Sequence, residues 1–225
     1  FAIIDAEVDQ PNVSSYTFAE HEGAYLMGVI AAMASDSDVI GFIGGMDIPL
    51  VRRYSTAFEQ GVLATNANAE VLVNMTGTTP AAWNDPVKGS ELAKAQISQG
   101  ADVIFAAAGG TGLGVLQTAA DEGKMAIGVD SNQNYLHPGN MLTSMLKRVD
   151  VAVYDAMTAG GDLETGVKTL GLAEDGVGVA MDENNAELVS EEMTTAVEEA
   201  KAAIIAGETE VHDYSSDDSC PALNF

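Results

Sequence analysis

Short apolar runs alternate along this chain with longer segments in which apolar residues recur at helical spacing. The clearest run spans residues 102–108 and stops at the glycine-rich stretch 109–114. A second run, 126–129, stops at Asp130 and Ser131. Runs of this kind are typical of buried parallel strands whose carboxyl ends open into a ligand crevice.

The same pattern predicts a regular succession of elements over most of the chain. We predict strands at residues 1–5, 39–45, 70–75, 102–108, 125–129 and 141–145, and helices at residues 18–33, 49–65, 86–99, 112–122, 147–158 and 190–206. Strands that alternate with helices indicate parallel sheets covered on both faces by right-handed crossovers. The predicted fold class is therefore α/β, with parallel sheets flanked by helices.

Other segments lack this regularity. Residues 6–15 form a polar connection, and residues 131–139 form a loop that contains Pro138. A glycine-rich, acidic region leads through 177–181 to the last helix. The final residues, 215–225, are predicted to be a poorly ordered tail.

The composition narrows the classes of function. The 225 residues include 34 acidic and 9 basic side chains, for a formal charge of −25. Nucleic acid is therefore not an expected partner, because binding a phosphate backbone depends on clustered Lys and Arg. The acidic residues are spread along the chain, which is typical of a protein kept soluble in concentrated salt. We expect a halophilic source, with an ordinary acidic protein as the alternative.

Two further observations concern location and cysteine chemistry. No apolar stretch reaches the roughly 20 residues that a membrane-spanning helix needs. Cys220 is the single cysteine, which excludes an intrachain disulfide and a cysteine-based metal site. The redox compartment stays open, because many proteins outside the cell have no disulfide.

The glycine-rich stretch and Asp130 are the first candidates for a binding site. Between a strand and a helix, backbone N–H groups converge, and glycines such as Gly109 and Gly110 let an anion or a sugar approach closely. Asp130 follows about 20 residues later, where a dinucleotide fold places its ribose-binding acid. Its carboxylate can accept hydrogen bonds from two neighbouring hydroxyls. The glycines do not have the spacing of the dinucleotide-binding motif. A tight turn that binds no ligand is therefore an equal alternative to a binding site.

Lys147 and Trp83 are the other candidates. Lys147 follows an apolar strand and is one of few cations, although a surface charge that balances Asp150 is an alternative. Trp83 is the only tryptophan and lies in the polar loop 79–86. Its indole could stack on a planar group, or it could cover the sheet edge as a hydrophobic plug.

Residues typical of catalysis are missing from the pattern. His21, His137 and His212 are isolated from other metal-ligating residue types and are interpreted as structural or exposed. No nucleophile elbow, zinc-protease helix or Walker loop occurs. We therefore predict binding without chemical turnover, no catalytic residue, no metal and no cofactor.

Several motifs occur in an order that points to a known family. They are PNV at 11–13, EGAYLMG at 22–28, GFIGGMDIP at 41–49, GADVIF at 100–105, AAGGTG at 107–112, GVDSNQ at 128–133 and TSMLK at 143–147. In these motifs the chain resembles the basic membrane protein family, the PnrA-like nucleoside-binding lipoproteins that serve ABC importers. The resemblance spans most of residues 1–210.

The resemblance implies a fold and a set of site residues. The fold is of the type I periplasmic-binding class, in which two lobes joined by a hinge close on a ligand. By motif, Trp83 takes the place of an aromatic that stacks on the base, although the family more often has Phe there. Gly109 and Gly110 form the turn, Asp130 accepts the ribose hydroxyls and Lys147 contacts the sugar.

The resemblance also implies an organisation of the chain. The first lobe is expected to be largely missing, with an N-terminal portion and an upstream lipid anchor preceding residue 1. Residues 1–12 are then a remnant of the first lobe and hinge, 13–145 the second lobe, 146–212 the hinge return and C-terminal elements, and 213–225 a flexible tail.

The implied function is that of an extracytoplasmic, lipid-anchored solute-binding component of an ABC importer at the plasma membrane. It is expected to be a monomer that binds nucleosides, purine nucleosides above all, and acts with the permease and ATPase. Two other classes stay open: a NAD-dependent oxidoreductase with a Rossmann-like domain, and the ligand-sensing domain of a regulator. A nucleobase, an autoinducer or another sugar-like solute would also suit a glycine turn, an Asp and a Lys.

Overall fold

A computed structural model describes residues 1–220 and confirms the α/β class. The strands are β1 (Ala2–Ile4), β2 (Ser14–Phe18), β3 (Val39–Met46), β4 (Glu70–Gly77), β5 (Val103–Ala107), β6 (Met125–Asp130), β7 (Met141–Lys147), β8 (Gly166–Leu170) and β9 (Val177–Val179). The helices are α1 (Glu20–Ala34), α2 (Pro49–Thr65), α3 (Pro86–Ser98), α4 (Gly112–Asp121), α5 (Val149–Ala159) and α6 (Glu191–Ile205). Short 3₁₀ turns include Pro80–Trp83 and Gly109–Thr111.

The larger sheet has six strands in the order β4-β3-β5-β6-β7-β9. All neighbours are parallel except β7 and β9, which are antiparallel. The chain proceeds from β3 to β4 on one side and then crosses to β5 on the other side. Such a reversal opens a crevice at the carboxyl ends of the strands, where α/β proteins bind ligands.

Alternating side chains of the central strands build a core on each face of this sheet. Phe42 and Phe105 lie opposite each other in the register of β3 and β5 and pack on one face with Phe58 of α2. The ring centroids of Phe42 and Phe105 are 5.5 Å apart in an edge-to-face arrangement. Ile43 and Ile104 belong to the core of the opposite face. Because both faces are covered, these strands are continuous apolar runs in the sequence.

Helices α1 and α2 pack closely because two glycines meet at their crossing. A Cβ on Gly28 would collide with the backbone of Phe58 and Val62, and one on Gly61 would collide with the carbonyl of Tyr25. Glycine weakens an isolated helix. Here it permits a contact that buries most of α1.

The smaller sheet was only partly predicted. It consists of three parallel strands in the order β1-β2-β8, and neither β2 nor β8 was predicted. The helix predicted from residue 18 begins instead at Glu20, because residues 14–18 form β2. Residues 14–18 thus belong to the smaller sheet, and the division of the chain at residue 13 stays a prediction.

The C-terminal segment, defined here as residues 213–220, packs against α2 although it was predicted to belong to a flexible tail. Tyr214 is buried, and the Asp213 carboxylate lies 2.8 Å from Nε of Arg53. The Cys220 Sγ lies 2.6 Å from the Thr56 hydroxyl. The rest of that predicted tail, 221–225, lies outside the described residues. Within residues 1–220, no helix has both the length and the apolar character needed to cross a bilayer.

Candidate functional site

A cavity of about 220 Å³ lies at the carboxyl ends of the strands of the larger sheet. We call it the site cavity. It is lined by Asp5, Leu50, Val51, Tyr54, Trp83, Ala107, Gly109, Val129, Asp130 and Lys147. The lining residues lie at or just after the ends of β1, β5, β6 and β7, in the first turns of α2 or, for Trp83, in the 3₁₀ turn that follows β4. The fold therefore brings them together at this edge of the larger sheet.

Four of the five predicted site residues line this cavity. They are Trp83, Gly109, Asp130 and Lys147. The fifth, Gly110, follows Gly109 in the same turn but is not among the lining residues. The structure thus gathers a carboxylate, an ammonium and an indole around one space.

The backbone at Asp130 is held in an unusual conformation by its neighbours. Asp130 ends β6 with φ +66°, in the left-handed region that few residues other than Gly, Asn and Asp adopt readily. The Gln133 side-chain oxygen accepts a hydrogen bond of 2.9 Å from Val129 N. Gln133 N in turn donates to the Ser144 hydroxyl, which donates to Asn134 Oδ1. This network fixes the turn that presents Asp130.

Partial loss of water raises the pKa of Asp130. Lys147 favours the charged form, whereas the nearby Asp5 and Glu20 carboxylates disfavour it, and a hydrogen bond with Tyr54 favours it again. The charge of Asp130 is therefore poorly compensated by the protein alone. Such a carboxylate gains stability from hydroxyl donors on a ligand.

Lys147 is buried between two carboxylates. Its Nζ lies 2.6 Å from Asp5 Oδ1 and 2.9 Å from Glu20 Oε1, and 5.1 Å from the centroid of the Phe18 ring. Burial by itself lowers the pKa of Lys147, but the two carboxylates outweigh burial and raise it. The alternative of a surface charge paired with Asp150 does not hold, because Arg148 forms that ion pair. An ammonium has three N–H donors, so one is left for a further acceptor.

The loop that carries Trp83 is clamped to the glycine turn by Thr111. The buried Thr111 hydroxyl donates to Ala82 O at 2.7 Å and accepts from Asp85 N at 2.7 Å. The Thr76 hydroxyl also donates to Ala82 O, at 3.0 Å. The half-buried indole is therefore held at the rim of the site cavity by backbone contacts on both sides of Trp83.

The glycines of this region make room for that loop. Gly109 has φ +55° and lies against the Trp83 ring, and a Cβ on Gly110 would approach the Trp83 carbonyl. Gly45, at the end of β3, faces the same ring so closely that a Cβ would collide with it. Packing of the Trp83 loop thus accounts for these glycines without a dinucleotide phosphate.

Sequence reasoning missed Asp5 and Tyr54. Asp5 follows β1 with φ +59°, as Asp130 ends β6, so an acidic residue after an apolar run was a signal for both. Tyr54 is buried in α2, and burial raises its pKa well above its usual range, with the Asp130 charge adding to the effect. No local pattern distinguishes Tyr54 from other core aromatics.

A second cavity of about 350 Å³ adjoins the first and shares Asp5 and Leu50 with it. Its wall includes Thr17 and Thr169 of the smaller sheet and Asp213 of the C-terminal segment. The two adjoining spaces have the size of a small-molecule site, for which about 300–1,000 Å³ is typical. No group of His, Cys, Asp and Glu in residues 1–220 is arranged to hold a metal ion.

Comparisons with known proteins agree with this architecture. A family model described as "ABC transporter substrate-binding protein PnrA-like" matches residues 1–214. The CD4+ T-cell-stimulating antigen of Listeria monocytogenes is 36% identical over 94% of this chain and 63% of its own length. The ABC transporter nucleoside-binding protein BmpA of Lactococcus lactis is 34% identical over 94% of this chain and 64% of its own length. The chain therefore spans less than two thirds of the length of these two relatives.

A solved structure is similar over nearly the whole chain. The crystal structure of an ABC transporter system solute-binding protein from Aeropyrum pernix K1 has a TM-score of 0.85 and 29% identity. The similarity covers 96% of this chain and 71% of that protein.

Proposed function

Because the chain belongs to the PnrA-like family of ABC transporter substrate-binding proteins, we propose that it captures nucleosides for an ABC importer. The observation that carries this proposal is the site cavity, where Asp130, Lys147 and Trp83 surround one space. A nucleoside has vicinal ribose hydroxyls and a planar base, so its two ends match the charged and aromatic sides of this cavity.

Each group has a part in the proposed complex. Asp130 accepts hydrogen bonds from the two ribose hydroxyls, which are charge-assisted and therefore strong. The remaining N–H of Lys147 donates to a ribose oxygen. The Trp83 indole stacks on the base, and Gly109 and Gly110 leave room for the loop that holds the indole. We favour purine nucleosides, because a larger base covers more of the indole.

The protein would bind and release its ligand without chemical change. It would act outside the cytoplasm, anchored by lipid and working as a monomer with the permease and ATPase of the importer. The nucleoside-binding relative from Lactococcus lactis supports this assignment. The glycine packing around Trp83 disfavours a dinucleotide enzyme, because the Trp83 loop already occupies the space beside the turn.

Calorimetric titration tests the proposal. The protein, in the longest form that its gene encodes, is titrated with adenosine, guanosine, inosine and uridine, with ribose and NAD⁺ as comparison ligands. We expect saturable one-to-one binding of at least one nucleoside, tighter than that of ribose. Absence of saturation with all four nucleosides, or tighter binding of NAD⁺, would contradict it.

A further inference from the structure

A row of alternating charges runs from the site cavity along the wall of the second cavity. In order it consists of Asp5, Lys147, Glu20, Arg53 and Asp213, and we call it the charge row. Glu20 is at its centre: one carboxylate oxygen lies 2.9 Å from Lys147 Nζ and the other 2.7 Å from Arg53 Nη1. At its two ends, Asp5 Oδ1 lies 2.6 Å from Lys147 Nζ, and Asp213 Oδ1 lies 2.8 Å from Arg53 Nε.

The members of the charge row come from different parts of the fold. Asp5 follows β1, Glu20 opens α1, Arg53 lies in α2, Lys147 ends β7 and Asp213 opens the C-terminal segment. Their ion pairs therefore join both sheets and the C-terminal segment at one edge of the site cavity.

Glu20 is much more deeply buried than Asp5. Only 1% of the Glu20 side chain is exposed, against 36% for Asp5. A buried carboxylate is costly unless cations compensate it, and here Arg53 and Lys147 both do so. Arg53 is fixed in turn by Asp213 and by the carbonyl of Phe18, at 3.1 Å.

We propose that Glu20, held by Arg53, is a positioning residue that fixes the Lys147 ammonium at the edge of the site cavity. A lysine ends in a flexible four-carbon stem, so its charge has no fixed place without a partner. Asp5 alone does not fix the ammonium, because its own side chain is partly exposed to solvent. This inference rests on the proposed function only for its effect on ligand affinity.

The first test observes Lys147 without any ligand. In protein labelled with ¹⁵N-lysine, an ammonium signal is visible where hydrogen bonds and burial slow proton exchange with water. Lys147→Arg assigns the signal by its loss. We expect Glu20→Gln to speed exchange at Lys147 by about tenfold or more, because a charge-assisted bond is lost. Glu22→Gln is the matched control on the same helix, since Glu22 binds Leu172 N and not Lys147.

The second test measures affinity for the nucleoside that binds best. We expect Glu20→Gln to raise its Kd by about 10- to 100-fold, the loss typical of one hydrogen bond to a charged group. Glu22→Gln is expected to leave the Kd within about threefold, in the range of substitutions away from a site. Thermal unfolding of each variant verifies that it is folded.

The outcomes separate this inference from the proposed function. If no nucleoside binds the unmodified protein, the proposed function fails while the exchange measurement still tests Glu20. Unchanged exchange at Lys147 in folded Glu20→Gln, or an unchanged Kd, would overturn the inference. If Glu20→Gln does not fold, Asp213→Asn decides. That substitution removes the charged partner of Arg53 at a half-buried position and so loosens the arginine that holds Glu20. Unaltered exchange at Lys147 in that variant would also overturn the inference.

Discussion

At the scale of single residues, some side chains of the site were predicted from the sequence, but the residues that pair with them were not. Asp130 and Lys147 stood out because each ends an apolar strand. The partners of Lys147 were not predictable, because Asp5 and Glu20 are distant along the chain and meet it only in the folded state. Local pattern thus finds strand ends, whereas ion pairs depend on tertiary structure.

Asp130→Asn isolates the charge of the proposed ribose acceptor. Asn tolerates the left-handed backbone at this position, so the turn should persist while the hydrogen bonds become neutral. We expect a loss of about 2 kcal/mol in nucleoside affinity, measured by calorimetry. Asp175→Asn is the matched control, since Asp175 has φ +56° and an exposed side chain. Equal affinities of the two variants would place the ligand elsewhere.

Glu59 in α2 should make stability depend on pH. It is 7% exposed, and its Oε2 has no hydrogen-bond partner among residues 1–220. Burial raises its pKa from 4.5 to about 7. The folded protein then holds a proton that the unfolded chain has released, so stability falls as the pH rises from about 4.5 to about 7. The full shift corresponds to at most about 3 kcal/mol.

Glu59→Gln should remove this dependence, because Gln stays neutral. We expect the variant to be more stable than the unmodified protein at pH 8 and nearly equal to it at pH 4.5, by urea unfolding. Glu91→Gln, at an exposed position beside Lys88, should change neither value by much. A Glu59→Gln difference that is the same at both pH values would contradict the prediction.

At the scale of elements, prediction succeeded where strands are buried on both faces. The strands β3 and β5 are continuous apolar runs, and α2 begins at Pro49 as predicted. The strands β2 and β8 were missed because polar and small residues interrupt them. Their ladder joins Ser14–Phe18 to Gly166–Leu170, two segments whose pairing is visible only in the fold.

The clamp between the Trp83 loop and the glycine turn gives a prediction at this scale. Thr111→Val keeps the shape of the side chain but leaves Asp85 N without its acceptor. We expect a loss of about 1–3 kcal/mol in unfolding free energy and greater quenching of fluorescence by acrylamide. Trp83 is the only tryptophan, so the fluorescence reports on this loop alone.

Thr79→Val is the control for this substitution. Thr79 is exposed in the same loop, and its side chain makes no capping hydrogen bond. Equal quenching in the two variants would show that Thr111 does not hold the loop.

At the scale of the whole molecule, charge has two opposite effects. Buried ion pairs such as Glu20 with Lys147 and Arg53 are little affected by salt. The excess of acidic residues elsewhere produces repulsion that destabilises the compact state and is screened by salt. Because the chain has 34 acidic and only 9 basic side chains, screening of this repulsion should dominate the effect of salt on stability.

We therefore expect the unfolding temperature to rise steeply as KCl is increased from about 0.1 to 2 M, where the Debye length falls from about 10 Å to below 3 Å. Exposed Glu198 and Glu199 on α6 test the cause. The double variant Glu198→Gln and Glu199→Gln removes two repelling charges, so it should unfold at a higher temperature in low salt and respond less to KCl. The unfolding temperature of an ordinary acidic protein would change little with KCl. An unfolding temperature that falls as KCl is added would mean that exposed ion pairs, and not repulsion between acidic residues, govern the stability of this fold.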